Sequence, residues 1–276
     1  MYFLSKSNGW HFDITIMILL VIVVFAIPPF NVPENGTLVT AATAIFAVVS
    51  GFFIADAMAN YLTLQGLIAE ENSLHISLIN DLEDKNLLPK ETENIRKAID
   101  AYLIAQLDVP ELDHVAFTKD EFNALICCLH EYIQKLKNNH ETLSNDIQSK
   151  RAEMVRINQE ISLTAHVNLG ATHWLLLLTL ACVVAITVLA LRDGGILMNI
   201  ITIGMLLGTQ GVLIVLRDVD NNRFLQKKLA FKNPQQVFST LKRPPYYPPS
   251  SKKNQRTPNS NGHYRIRNPE GKIIQI

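Results

Sequence analysis

The 276-residue chain lacks the short motifs that most often announce chemistry. No G-x-x-x-x-G-K-[ST] run offers backbone amides to a phosphate, no G-x-G-x-x-G follows a strand pattern, and no G-x-S-x-G marks a nucleophile elbow. His130-Glu131 and His140-Glu141 both begin like a zinc helix, yet neither has the second His that would put two imidazoles on one helical face. The stretch from Asp218 to Asn222, DVDNN, starts like a calcium loop, but Arg223 and Leu229 stand where such a loop needs Gly and Glu. It reads instead as an acidic cluster at a helix end, facing the Arg and Lys around it. No catalytic residue, cofactor or metal site is expected, and the chain is not read as an enzyme. Cysteine is also scarce. Cys127, Cys128 and Cys182 make no evenly spaced framework, which fits a reducing compartment.

Charge is the other shortage. Only 18% of residues are charged against 48% hydrophobic, more apolar than a usual soluble domain. The charges are also unevenly placed. Residues 65–170 hold 18 Asp and Glu against 10 Lys and Arg, whereas residues 217–276 hold 13 Lys and Arg against 3 acids. A net charge of zero thus hides an acidic middle and a basic tail.

Four runs are long and apolar enough to cross a bilayer, which takes about 20 helical residues. They are Ile14 to Phe30, closed by Pro28 and Pro29; Leu38 to about Ala55; Trp174 to Leu191; and roughly Gly195 to Leu216. The first is read as an uncleaved span, because its leader has a single Lys and no A-x-A-like site follows. The polar links NVPENGT and RDGG are short, so the spans form two hairpins. Those links carry one basic residue, Arg192, while Lys150, Arg151 and Arg156 precede the third span and Arg217, Arg223, Lys227, Lys228 and Lys232 follow the fourth. Excess Lys and Arg marks the cytosolic side, so both termini and the 65–170 segment are expected in the cytosol, with the protein integral to an inner or plasma membrane.

The expected fold is all-α: an N-terminal transmembrane hairpin (1–64), a cytosolic helical domain (65–170), a C-terminal transmembrane hairpin (171–217) and a basic, Pro-rich tail (218–276), mostly disordered after 245. The second span should run on into the cytosol as one long helix, followed by another from about Lys90 to Gln106. Neither Gly nor Pro occurs from Thr118 to Leu169, and steps of four and three link Phe122, Ile126, Leu129, Ile133, Leu136, His140, Leu143, Ile147, Lys150, Met154, Ile157, Ile161, Thr164 and Asn168. Ten of these fourteen are apolar, a coiled-coil-type seam on a single long helix. The seam must face other helices of the chain, the same helix in neighbouring subunits, or both. The tail's basic residues suit anionic lipid, and its PPYY letters fit a Pro-rich peptide.

Within the spans, Gly51, Ala55 and Ala59 recur every four positions and Gly204 and Gly208 form G-x-x-x-G, a spacing that lets helices approach closely. Asp56 falls at the cytosolic boundary, where a carboxylate costs far less than at mid-span.

The order of these elements resembles a bestrophin-like membrane family of unknown function, distantly similar to bestrophin anion channels. The likeness is carried by Gly51-Phe52-Phe53-Ile54, the Glu70-Glu71 pair, Tyr102, Arg156-Ile157 leading to Trp174, and LRDVDNNRF then NPQQVFSTL after the last span. The resemblance implies an oligomeric ion channel, with anions as the permeant class. Phe52, Phe53 and Ile54 would form the pore neck, and Asp56 the inner mouth. The chain departs from bestrophins in having ADAMANYLTLQG where an Arg-Trp-rich stretch is expected, and too few acids near Asp218 and Asp220 for a calcium clasp. The alternative is a non-conducting membrane scaffold that acts through its cytosolic helices.

Overall fold

The computed structural model describes residues 9–28, 36–85, 87–108, 118–137, 140–165, 167, 169–220, 234–248, 264–267 and 272–275. Its helices are α1 (Gly9–Ala26), α2 (Gly36–Lys85), α3 (Pro89–Asp108), α4 (Lys119–Leu136), α5 (Glu141–Ala165), α6 (Ala171–Ala190), α7 (Ile196–Asp220) and a short α8 at 234–240. The chain divides into two compact units, Met1–Ala59 with Asn168–Asn221 and Asn60–Val167 with Asn222–Ile276.

In the first unit α1 and α6 each pack against α7. Among the described residues three helices, α2, α6 and α7, are long and apolar enough to cross a membrane, and Asp13–Ala26 adds a shorter apolar helix. Two arginines tie this unit together over long sequence distances. Arg217 of α7 donates two hydrogen bonds to the Asp13 carboxylate of α1, at 2.8 and 2.7 Å. Arg192, in the link between α6 and α7, is buried and donates to Asn199 Oδ1 and to the Ile27 carbonyl, each at 3.0 Å. It thereby satisfies a carbonyl just past the end of α1 that no helical amide reaches. The lone basic residue of the short links is thus a structural tie.

In the second unit the expected single long helix is two. Arg151 lies 2.9 Å from His130, which is 21 positions earlier, whereas a straight helix would hold them about 31 Å apart. The chain therefore reverses between Lys137 and His140, and α4 and α5 pack as a hairpin. Asn138 and Asn139, between these two points, lie outside the described residues. Folding the seam back buries it inside the chain. Leu129, Ile133 and Leu136 on one arm and Ile147 and Met154 on the other join a core with Leu78, Leu82, Ile95, Ile99 and Tyr102, while Ile157 and Ile161 pack with Leu64 and Leu67. The seam's two polar interruptions have separate roles. His140 is exposed at the reversal, and the Lys150 ammonium bonds to Ser77 Oγ at 2.9 Å and to Asp81 of α2. Asn168 lies outside the described residues.

The tail is expected to be mostly disordered after 245; of that part the described residues are 246–248, 264–267 and 272–275. A three-stranded sheet joins β1 (Tyr246–Tyr247), β2 (Arg265–Arg267) and β3 (Ile273–Gln275), with β1–β2 parallel and β2–β3 antiparallel. Val237, Phe238, Leu241 and Tyr246 are buried in the unit's main core, so the PPYY letters belong to a strand and its approach. Charge explains the docking. Arg265 makes a two-armed bond to Asp100 at 2.6 and 2.7 Å, Arg243 reaches Glu93 at 2.7 Å, and Arg267 reaches Asp108 at 2.8 Å. Basic residues of the tail thus pair with acids of the middle within one unit.

Candidate functional site

Helix α2 has no Lys or Arg before Lys85 and two distinct faces along its 50 residues. Phe46, Ser50, Phe53, Ala57, Leu64, Leu67, Glu71, His75, Leu78 and Leu82 are buried, in steps of three and four interrupted once. On the other side Ile45, Val48, Phe52, Ala55, Asp56, Ala59, Leu62, Gly66, Glu70 and Ser73 are exposed. This second face of exposed residues runs from Ile45 to Ser73, with Glu70 reached by Arg156 of α5.

This division separates the residues proposed for a neck. Phe52 is 69% exposed and Val48 73%, whereas Phe53 is 8% exposed and sets its ring edge-on to His173 at 5.1 Å. Phe53 therefore packs within the first unit, and the neck expectation is corrected for it. Consecutive residues on a helix point about 100° apart, so both phenylalanines cannot share one face. Ile54 is half-buried and lines a groove of about 400 Å³ with Phe46, Gly51, Met205 and Gly208. Asp56 is exposed, one turn beyond Phe52 on the open face.

The predicted packing positions stand open among the described residues. Gly51, Ala55, Gly204 and Gly208 are exposed, and a Cβ added at Gly51, Gly204 or Gly208 would meet no atom within 4 Å.

Compared with solved structures, the chain overlays a bacterial bestrophin homologue from Klebsiella pneumoniae with a TM-score of 0.62 at 11% identity, over 85% of this chain and 99% of that one. The chain has the bestrophin fold. A mutant form of the Klebsiella pneumoniae homologue gives 0.63 at 12% identity, over 85% and 99% of the two chains. A mutant of a chain described as a membrane protein gives 0.64 at 9%, over 84% and 98%. No family model and no curated protein matches the sequence.

Within this bestrophin fold, residues that carried the resemblance meet in pairs. Trp174 donates from its indole to Asp220 Oδ2 at 3.1 Å, and the Leu169 amide donates to Asp220 Oδ1 at 2.7 Å. Glu70 accepts from Arg156 at 3.3 Å. The Tyr102 hydroxyl donates to Glu71 Oε1 at 2.6 Å, Gln106 donates to Oε2 at 3.1 Å, and Asn158 donates to the Tyr102 oxygen at 3.1 Å. Burial without a cation pushes the Glu71 carboxyl above the usual carboxylate range, against the pull of these donors. His75, one turn on, is wholly buried, edge-on to Tyr102 at 5.8 Å, and burial lowers its pKa to about 4. Glu71 was legible only as one of an acidic pair. Its place on the apolar stripe shared with Leu64, Leu67 and Leu78 is the signal that marks it as internal.

Proposed function

We propose that the chain is one subunit of an oligomeric ion channel whose pore is lined by the exposed face of α2, with the second unit in the cytosol. The observation that carries this reading is the face of exposed residues from Ile45 through Phe52 to Ser73 on a single helix. A helix in lipid can leave apolar residues bare, but this face continues well beyond the roughly 20 residues that a bilayer covers. Symmetry-related copies of α2 around an axis would enclose it. Phe52 then forms the constriction, since apolar rings close a pore by excluding water. The small-residue surfaces at Gly51 and Gly208 suit close approach of neighbouring subunits.

The lining's charge favours cations over the anions that the resemblance implies. Asp56 and Glu70 lie on the open face, and α2 contributes no basic residue there. Arg156 pairs with Glu70 but also with Glu153 and Glu160, leaving that cluster negative.

The test is flux through purified protein in liposomes, with Phe52→Ala beside Phe53→Ala and the parent. Phe52→Ala should raise basal flux with folding intact, whereas Phe53→Ala, which empties a packed position, should chiefly lower stability. A well-folded oligomer that passes neither cations nor anions would sink the channel reading and leave the scaffold one.

A further inference from the structure

The bonding around Glu71 and its burial pull in opposite directions. Both carboxylate oxygens act only as acceptors, from Tyr102 and Gln106 of α3, and Asn158 of α5 supports the Tyr102 oxygen. That arrangement suits the charged form. Yet Glu71 is 2% exposed, and among the described residues no Lys or Arg bonds to it. The far side of the Tyr102 ring is closed by Phe122 of α4, which brings no charge. On its own helix, Glu70 turns outward to Arg156, Asn72 donates to the Ile68 carbonyl, and His75 has both ring nitrogens buried without a hydrogen-bond partner.

We propose that Glu71 is a proton-binding site that sets the conduction of the channel, an inference that rests on the channel reading above. Its route is α2 itself. Glu71 sits on the inward stripe of the helix whose other side is the proposed lining, so its ionisation places a negative charge roughly one helix diameter, about 10 Å, behind that lining. In a dielectric between that of protein and water, one such charge alters cation occupancy about threefold. Acid protonates Glu71 and removes the charge, so cation flux falls as pH falls. His75 does not interfere, since it is neutral above its pKa of about 4.

The group also leaves a mark on stability. A carboxyl with a raised folded pKa binds in the folded state a proton that the unfolded chain has already released. Its contribution to stability is therefore present at low pH and is lost as pH rises through the folded pKa.

The experiment measures cation flux through full-length protein in liposomes between about pH 5 and pH 9, where ordinary carboxylates stay ionised. Unfolding of the same proteins in detergent is followed over the same range. The parent should show one step of at least about threefold, rising with pH, because every subunit adds one such charge behind the lining. Glu71→Gln should show no step, and should not share the parent's loss of stability at high pH. Tyr102→Phe removes the donor at 2.6 Å from the carboxylate, so its step should move to higher pH, and it carries the test if Glu71→Gln fails to fold. Matching flux profiles for parent and Glu71→Gln, or a Tyr102→Phe step that stays in place, would overturn the inference. Flux that is constant with pH while the unfolding curves diverge overturns it alone, whereas no flux at any pH overturns the channel reading with it.

Discussion

Asp220 illustrates how much one carboxylate can organise. Helix α6 starts after Gly170, which has no side chain to cap it, and Asp220, from the last turn of α7, instead accepts the Leu169 amide and the Trp174 indole. Both bonds are made by a residue that is 9% exposed, so removing the acceptor strands two donors in a dry setting. Asp220→Ala should lower the unfolding free energy by about 1–3 kcal/mol, read as a drop in the thermal midpoint in detergent. Asp220→Asn keeps one acceptor oxygen and should lose less, and equal losses for the two variants would refute this role. The sequence shows an acid here, yet its partners lie 46 and 51 positions away. The same distance problem hid Asp13, which lies 204 positions from Arg217. Phe52 and Phe53 posed another problem. Both were visible as helical, but only the stripe through Phe46, Ser50, Phe53 and Ala57 says which one faces inward.

For the helices, periodicity was the most informative signal and also the most ambiguous. Most of the apolar steps from Phe122 to Ile161 are buried, Leu129, Ile133, Ile147, Met154 and Ile157 among them, while His140 is exposed. They do not say whether the stripe belongs to one helix or two, because on either side of the reversal between Lys137 and His140 both arms turn apolar positions to the same core. The glycines raise the converse question, since Gly51, Gly204 and Gly208 have the spacing of a packing face yet a Cβ added at any of them would meet no described atom within 4 Å. If they seat a neighbouring subunit, a side chain there should disturb assembly and not folding. Gly208→Leu should therefore leave the unfolding midpoint unchanged or slightly raised, since Gly in a helix interior costs roughly 0.5–1 kcal/mol relative to Ala. It should also shift the purified protein toward smaller species in light scattering. A variant that keeps the parent's oligomeric size would remove these glycines from the interface.

For the whole molecule, the division of charge seen in the sequence resolves into two separate uses. Acids at Glu93, Asp100 and Asp108 are taken up by Arg243, Arg265 and Arg267 of the tail, which is why its described part docks. Asp56 has no such place, being exposed on the same open face as Phe52. In the proposed channel each subunit repeats it, so the ring's charge grows with the number of subunits while no basic residue of α2 offsets it. A ring of like charge beside a constriction concentrates the opposite ion and repels its own sign, and salt screens the effect over about 10 Å at 0.1 M. Asp56→Asn should therefore move the reversal potential in a salt gradient toward zero, with Glu70→Gln adding a smaller shift because Arg156 already offsets part of that charge. The parent's own preference for cations should shrink as ionic strength rises. An anion-selective parent, or an Asp56→Asn channel with unchanged selectivity, would mean that the exposed face of α2 is not the surface the ions pass.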